Sequence, residues 1–439
     1  MDRLHPPAAV LEIAERLEDA GYEAWCVGGA IRDALLGHQH LDWDLATSAT
    51  PDQIRELFGH RRTIPVGVEF GTIGVLDRHN AMHEVTTFRR DVKTDGRHAE
   101  VEFGVSLEDD LARRDFTINA IAYSPRRREV RDPFGGQRDL ASRVLRAVGD
   151  ADARMREDRL RALRAIRFAA RFDFAIDEAT RAAIEASAPF LGRLSPERVK
   201  QELDKTMEQV RKPSVALDVW KATGAFATLI PALANASSRD LHVPDFLAMP
   251  ELSRRPARRA LRFAGLFASL GAAQATKTMT ALRASKNETQ TVGATLERWQ
   301  QLGDGMTRAL LSDVNASGAS ITDADVRQWM AKIGRLQAGT VMRLASAIWA
   351  ARAADGKDAP SRASVRRLYR RMLGVALHDA IDLGSLAIDG DDLRRAGIPP
   401  GPGLGKILQA LLDAVIKDPS RNTTDWLLQE AQAIHAASA

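Results

Sequence analysis

The chain has 439 residues, of which 45% are hydrophobic and 27% are charged. This composition is typical of a globular protein and argues against a wholly disordered chain. The length exceeds what one compact core usually holds, so we expect two to four modules. The net charge of +4 permits a polyanionic partner without requiring one, and the single cysteine excludes an internal disulfide and a cysteine-based zinc cluster.

The sequence shows no signal for a membrane or an export pathway. No apolar run reaches the length of a membrane span, and the N-terminal residues lack the charged-then-apolar pattern of a signal peptide. We therefore expect a cytoplasmic protein.

Periodicity divides the chain into a mixed head and a long helical remainder. The first predicted helix runs from Val10 to Ala20, and residues 23–123 then alternate between strands and short helices. From Ala151 onward almost every segment has helical periodicity. Strands are predicted at 23–27, 71–76, 83–88 and 99–103. Domains are predicted at 1–150 (head), 151–210 (neck), 211–350 (body) and 351–439 (tail).

Residues 28–47 contain the strongest chemical signal. They are predicted to form a Gly28-Gly29 turn, a short helix and a strand that holds Asp42 and Asp44. Alternation puts both carboxylates on one face of the strand, where they can share a hard cation such as Mg²⁺. The turn offers backbone N–H groups to a phosphate, and Arg32 adds a positive charge one helical turn later.

Each part of this stretch also has a simpler explanation. The two aspartates can be solvated edge charges, and the two glycines can be an ordinary turn. It is the order of the parts that indicates a site for a nucleoside triphosphate and a metal.

Two further segments offer groups to such a site. Glu84 becomes a third carboxylate if its strand lies beside the aspartate strand, and is otherwise a surface glutamate on a sheet edge. Arg114, in the run Arg113-Arg114-Asp115, suits phosphate or ribose oxygens through its planar guanidinium, or is a solvated surface residue.

A predicted helix from 152 to 172 carries Asp158, Arg161, Arg164 and Arg167 at intervals of three. These side chains form either a salt-bridged solvent face or a surface that recognises a base. In the second case Asp158 accepts from an exocyclic amine and Arg161 donates to the adjacent ring nitrogen. Cytosine and adenine offer that pattern, whereas guanine and uracil offer the reverse, so one pair of side chains selects C and A.

These segments resemble the nucleotidyltransferase superfamily, and most closely the family of class II tRNA nucleotidyltransferases (CCA-adding enzymes) and bacterial poly(A) polymerases. The resemblance rests on GGAIRDALLG from Gly28, RRDFTINA from Arg113 and EDRLR from Glu157. It implies an α+β fold, with a polymerase β-like head followed by a helical neck, body and tail. It also implies nucleotidyl transfer with two Mg²⁺ ions at Asp42 and Asp44.

The resemblance further implies CTP and ATP as substrates and tRNA as the partner, bound through its acceptor end and arm, partly by the tail. Residues 91–103 are similar to a loop that assists the change from adding C to adding A, although a plain hairpin fits them equally. The helix from Ser195 resembles a motif with a structural role. Neither a membrane nor a protein partner is implied. The implied nucleotide-binding residues are Gly28, Gly29, Arg32, Arg114, Asp158, Arg161, Arg164 and Arg167.

Several alternatives stay open at this point. A poly(A) polymerase would use ATP alone, and partial enzymes would add only CC or only A. A non-catalytic RNA-binding protein could share the fold, although both aspartates are present. A His-Asp phosphohydrolase would need more than His378-Asp379. The basic runs at 254–259 and 366–371 are either RNA-backbone contacts or solvated surface.

Overall fold

The computed structural model describes residues 4–38, 42–94, 99–247, 255–312 and 321–438. The chain forms two compact units, Met1–Val210 with Val215–Ala234, and Arg211–Ser214 with Asn235–Ala439. The predicted division into head, neck, body and tail stays a prediction. Within the described ranges, no helix is both long and apolar enough to cross a membrane.

A seven-stranded mixed sheet organises the first part of the chain. Its strand order is β3-β4-β5-β2-β1-β8-β9, in which β2 and β5 are parallel and the other neighbours are antiparallel. The strands are β1 (Ala24–Val27), β2 (Asp44–Thr47), β3 (Thr63–Gly67), β4 (Thr72–Leu76), β5 (Met82–Thr87), β8 (Ala122–Ser124) and β9 (Glu129–Arg131). A separate hairpin joins β6 (Arg89–Thr94) to β7 (Ala99–Phe103).

Short helices cover this sheet. In α1 the apolar side chains of Val10, Ile13, Ala14 and Leu17 form one buried stripe, as expected from the helical period. Helix α3 begins at Pro51 because Thr50 caps it and proline suits the first turn of a helix. The helices of this part are α1 (Ala8–Asp19), α2 (Gly29–Leu35), α3 (Pro51–Phe58), α4 (Leu107–Ala112) and α5 (Gly136–Ser142).

The described chain after Ser142 is helical apart from two short parallel strands, β10 (Val144–Leu145) and β11 (Ala175–Ile176). Its helices are α6 (Ala151–Glu157), α7 (Leu160–Phe172), α8 (Glu178–Ser187), α9 (Pro196–Gln209), α10 (Pro213–Ala222), α11 (Ala225–Leu229), α12 (Ser238–His242), α13 (Arg255–Leu266), α14 (Gly271–Ala281), α15 (Lys286–Ser312), α16 (Asp323–Ile333), α17 (Ala338–Ala354), α18 (Arg362–His378), α19 (Gly390–Arg395), α20 (Pro402–Lys417) and α21 (Thr424–Ser438). The predicted α+β class, with a mixed sheet first and helices afterwards, is confirmed.

The second unit contains two hydrophobic clusters. One is centred on α15, α16, α17 and α18, where the indole N–H of Trp349 donates to the Thr307 hydroxyl at 2.9 Å. The other gathers α19, α20 and α21 around Leu393, Leu411 and Leu427, which are fully buried. Each cluster holds several helices together by burying their apolar faces.

Candidate active site

The Gly28-Gly29 turn connects β1 to α2 in a conformation that excludes a side chain. Gly28 has φ of +77°, which is the left-handed region that favours glycine. The Nη1 atom of Arg114 also lies 3.1 Å from where a Cβ at position 28 would be. The turn and the guanidinium are therefore in close contact, although 86 residues separate them in sequence (114 − 28).

A cavity of about 550 Å³ opens next to this turn, within the first unit. Nine of the eleven residues proposed for the site from the sequence line it: Gly28, Gly29, Arg32, Asp44, Arg114, Asp158, Arg161, Arg164 and Arg167. The two that do not are Asp42 and Glu84. The structure therefore brings the glycine turn, one aspartate and the arginines of α7 to a single cavity.

The strand of the aspartate pair starts later than predicted. Strand β2 begins at Asp44, so Asp42 precedes the strand and is exposed, while Asp44 is half-buried. The strand that holds Glu84 does lie beside β2, because Leu45 pairs with Val85 in a parallel register. Burial, and then the negative charges of Glu84 and Asp42, raise the pKa of Asp44 to about 6 against the opposing effect of Arg114.

The negative charges around Asp44 determine whether a cation fits beside it. Asp42, Asp44 and Glu84 supply carboxylate oxygens, the donors that Mg²⁺ prefers, and their mutual repulsion would be relieved by a bound cation. Across the described ranges, no group of three or more His, Cys, Asp or Glu side chains is arranged to hold a metal ion. A cation here would therefore need substrate oxygens to complete its coordination.

One polar network joins two of the sequence motifs, GGAIRDALLG and RRDFTINA, to helix α7. Arg32 donates to Asn119 Oδ1 at 2.6 Å, Asn119 donates to Asp115 Oδ1 at 2.8 Å, and Arg164 donates to Asp115 Oδ2 at 2.7 Å. Arg32 is only 5% exposed, and its guanidinium carbon lies 4.8 Å from the ring centre of Phe172. Arg32 is thus fixed by packing and hydrogen bonds, which suits a supporting role.

Two arginines at the cavity share the buried carboxylate of Asp110. Arg113 and Arg114 donate to its two oxygens at 2.7 and 3.1 Å. Burial acts to raise the pKa of Asp110, but the positive charges of Arg114 and Arg113 outweigh it and hold that pKa below its usual value. This carboxylate therefore orients the two guanidiniums beside the glycine turn.

The predicted helix from 152 to 172 is in fact two helices. Helix α6 ends at Glu157, α7 begins at Leu160, and Asp158 between them has an extended backbone (φ −144°, ψ 105°). The prediction that Asp158 shares a helix face with the arginines is therefore wrong. The physical reason is local: the Asp158 carboxylate accepts the backbone N–H of Leu160 at 3.0 Å and so competes with a continuous helix.

Asp158 and Arg161 nevertheless face the same cavity. The second carboxylate oxygen of Asp158 accepts from Arg198 Nη2 at 2.7 Å. Arg161 donates from Nη1 to Glu157 Oε2 at 2.6 Å and from Nη2 to the Arg113 carbonyl at 3.1 Å. Both side chains are oriented by these bonds.

Sequence reasoning gave no site role to several lining residues. Among them Arg198, Lys205 and Gln209 come from α9, whose first turn is capped by Ser195. Their helical spacing on one face was the signal that could have identified them. Arg171, at the end of α7, ion-pairs with Asp33 at 3.4 Å.

The segment expected to be a loop or a hairpin is a hairpin in its described part. Strands β6 and β7 pair from Arg89↔Phe103 to Thr94↔Ala99. The centre of this segment, Asp95-Gly96-Arg97, lies outside the described residues. Of the basic run at 254–259, Arg254 also lies outside them, and the other five residues begin helix α13.

The sequence was compared with protein families and known proteins. Three family profiles match: "Poly A polymerase head domain" at 24–146, "Probable RNA and SrmB- binding site of polymerase A" at 173–237, and "tRNA nucleotidyltransferase domain 2 putative" at 257–431. A CCA-adding enzyme of Geobacillus kaustophilus is 34% identical, over 97% of this chain and 98% of that protein. One of Limosilactobacillus reuteri is 33% identical, over 96% and 95%.

Solved structures of CCA-adding enzymes also match this chain. A crystal structure of Bacillus stearothermophilus CCA-adding enzyme in complex with CTP matches with a TM-score of 0.75 at 30% identity, covering 99% of this chain and all of that one. Thermotoga maritima CCA-adding enzyme complexed with tRNA matches with a TM-score of 0.67 at 20% identity, over 98% and 96%, and shows the shared fold. The fold is that of a nucleotidyltransferase. The chain belongs to the family of CCA-adding enzymes.

Proposed function

We propose that this protein adds C, C and A to the 3′ end of tRNA, using CTP and ATP and releasing pyrophosphate. The observation that supports this most directly is the cavity that holds Asp44 together with Asp158 and Arg161. A polymerase that selects its substrate without a template needs two features within one nucleotide's length. One is a carboxylate suited to a metal, and the other is a donor–acceptor pair suited to a base. Because tRNA and nucleoside triphosphates are cytoplasmic, we assign the activity to the cytoplasm.

The hydrogen bonds of Asp158 leave it able to accept from a base. An ionised carboxylate has about four acceptor positions, and the Leu160 N–H and Arg198 occupy one on each oxygen. An exocyclic amine can use a remaining position without displacing either partner. We infer that Asp158 recognises N4 of cytosine and N6 of adenine in this way.

Arg161 keeps donors on one edge of its guanidinium. Its Nη1 donates to the carbonyl of Arg154 and to Glu157, and its Nη2 donates once, to the Arg113 carbonyl. Within the described part of the chain, the Nε–H and the second Nη2–H have no partner, so they are available to the ring nitrogen beside the amine. Uracil and guanine would place a ring N–H against these donors and a carbonyl against Asp158, so both contacts would be lost.

We assign the phosphates and the metals to the glycine turn and the carboxylates. We propose that Asp42 and Asp44 hold two Mg²⁺ ions, with Glu84 as a third carboxylate. When bound, such ions activate the attacking 3′-hydroxyl and neutralise charge on the leaving pyrophosphate. Arg114, beside Gly28 and Gly29, is placed to bind the triphosphate, and Arg164 and Arg167 extend the positive charge along α7.

The first experiment incubates the purified protein with Mg²⁺, tRNA lacking its 3′ CCA, and each labelled triphosphate. We expect ordered addition of C, C and A, with no product from UTP or GTP alone. Long A tails would instead indicate a poly(A) polymerase, and products that end after CC or begin with A would indicate a partial enzyme. No incorporation of any nucleotide would overturn the proposal.

A second experiment tests base selection. The double variant Asp158→Ala with Arg161→Ala is expected to reduce the preference for CTP over UTP by tenfold or more, since each lost hydrogen bond to a charged group is worth roughly 1.5–3 kcal/mol. The control is Asp152→Ala with Arg156→Ala, an exposed acid–arginine pair on α6 outside the cavity lining. Selection that is equally strict in both variants would refute the assigned roles.

A further inference from the structure

Exposed apolar side chains concentrate in one segment of the first unit. Among the described residues, twelve large hydrophobic side chains are exposed, and five of them lie between Ile64 and Met82. Ile64 and Val66 on β3 are 42% and 45% exposed, and Met82 on β5 is 45% exposed. We call Ile64, Val66, Met82 and the glycine between them, Gly74 on β4, the apolar shelf.

Gly74 joins these side chains into one surface. A Cβ at position 74 would lie 2.6 Å from Met82 Sδ and 3.1 Å from Val66 Cγ2. The two side chains therefore meet across β4 because residue 74 has none. An exposed and continuous apolar area of this kind is typical of a binding surface, whereas single exposed apolar residues are not.

The apolar shelf lies on the sheet face that carries the active-site carboxylates. Ile64 is opposite Gly74, and Gly74 is opposite Glu84. The Leu45↔Val85 pairing then places Asp44 beside Glu84. Directly opposed residues point to the same face, and neighbouring strands are about 4.8 Å apart, so Gly74 and Asp44 are separated by roughly 10 Å along this row.

The neighbourhood favours an RNA chain over a protein strand as the occupant. Pro65 lies in the middle of edge strand β3 and has no N–H to donate, which opposes the addition of another strand. The exposed Arg61 lies two residues before the start of β3, and Arg62 donates to the Leu76 carbonyl at 2.9 Å, which keeps its charge beside β4. Apolar surface for base faces next to arginine for phosphates is the combination that binds unpaired nucleotides.

We propose that the apolar shelf binds the last unpaired bases of the RNA substrate and so presents its terminal 3′-hydroxyl beside Asp44. This inference rests on the proposed function, because it assigns the second substrate to the same site. The shelf contacts the RNA that is extended, whereas Asp158 and Arg161 contact the incoming triphosphate. The two substrates would thus approach Asp44 from different sides.

The test uses the double variant Val66→Ser with Met82→Ser in the full chain. Both positions are exposed, so folding should be retained. We expect the KM for tRNA lacking CCA to rise about tenfold, given typical losses per base contact, while the KM for CTP stays within twofold. The matched control is Leu336→Ser, an exposed leucine of the second unit (94% exposed) that should change neither constant.

A binding measurement separates this inference from the proposed function. RNA with 4-thiouridine as its terminal nucleotide should crosslink on irradiation to peptides containing Val66 or Met82, and the double variant should lose that crosslink. Crosslinks confined to other peptides, or an unchanged KM for tRNA, would overturn the inference while nucleotide addition itself persisted. A variant that changes only the oligomeric state would overturn it too, by showing that the shelf covers a protein partner. Failure of the proposed function would appear differently, as no nucleotide addition by the unaltered protein.

Discussion

Individual arginines at the active site are held by acidic partners in very different surroundings. Arg167 pairs with Glu202 at 2.6 Å, and both side chains are less than 5% exposed. Arg164 pairs with Asp115 at 2.7 Å with more solvent access. A buried pair contributes little net stability, but removing one partner leaves the other charge buried and uncompensated. Arg167 thus supports the cavity wall through its pair with Glu202.

We expect Glu202→Ala to lower the free energy of unfolding by about 3–5 kcal/mol, because Arg167 would keep its charge in a buried position. Denaturant titration followed by circular dichroism measures the change. The control is Glu185→Ala, which breaks the half-exposed pair between Arg181 and Glu185 on α8 and should change stability by less than about 1 kcal/mol. Equal effects in the two variants would contradict this account.

Elements of secondary structure are positioned by close backbone contacts as well as by side chains. Helix α5 starts at Gly136, whose N–H donates to Asp132 Oδ1 at 2.6 Å. A Cβ at this position would lie only 2.2 Å from the carbonyl oxygen of Thr117, in the short turn that leads from Asp115 to Asn119. The glycine therefore sets how closely α5 approaches the polar network of the active site.

Gly136→Ala is expected to destabilise the protein by about 1–3 kcal/mol, since backbone on one side of the contact must move. It should also lower nucleotide addition, because Asn119 links Arg32 to Asp115. The matched glycine is Gly305 in α15, which has nothing within 4 Å of the added Cβ. Gly305→Ala should be neutral or stabilising by up to about 1 kcal/mol. Thermal melts and the tRNA assay distinguish the two glycine variants. A Gly136→Ala protein with unchanged stability and activity would show that the backbone around Thr117 moves at little energetic cost.

Local sequence patterns predict helices and strands well where a single physical rule determines their position. The stripe of α1, the cap of α3 and the bounds of β7 follow from helical period, capping chemistry and alternation. The break at Asp158 was missed because neither glycine nor proline marks it. The position of Asp42 before β2 was missed because alternation says nothing about where a strand starts. The convergence of α9 on the cavity depends on tertiary packing, which periodicity does not encode.

Across the whole molecule, charge is distributed more unevenly than the net value of +4 suggests. Many arginines of the second unit pair with acids, as Arg394 does with Asp391 and Arg395 with Asp392. On α18, by contrast, Arg366, Arg367 and Arg370 are exposed, and no ion pair to them is found within the described residues. Like charges one turn apart disfavour a helix slightly, so a polyanion binding there would relieve them.

Replacing Arg366, Arg367 and Arg370 by Gln should weaken tRNA binding and reduce its salt dependence. Each lost phosphate contact lowers the slope of log K against log salt by about 1, so the slope should fall by up to about 3. Fluorescence anisotropy at several salt concentrations measures it. Replacing Arg394 and Arg395 by Gln is the control, because those arginines already have acidic partners. A slope that stays the same in the triple variant would assign tRNA binding to another surface.

The single cysteine lies at the centre of the sheet, in β1, where it is fully buried. Burial, and secondarily the negative charge of Asp44, raise the pKa of the Cys26 thiol to about 12. Since only the thiolate reacts with maleimides, this residue should remain unlabelled at neutral pH. Cysteines introduced at chosen surface positions would then be the sites that react with fluorophores in an otherwise unaltered chain. Single-molecule distance measurements between such labels could follow the motions of the enzyme during successive nucleotide additions.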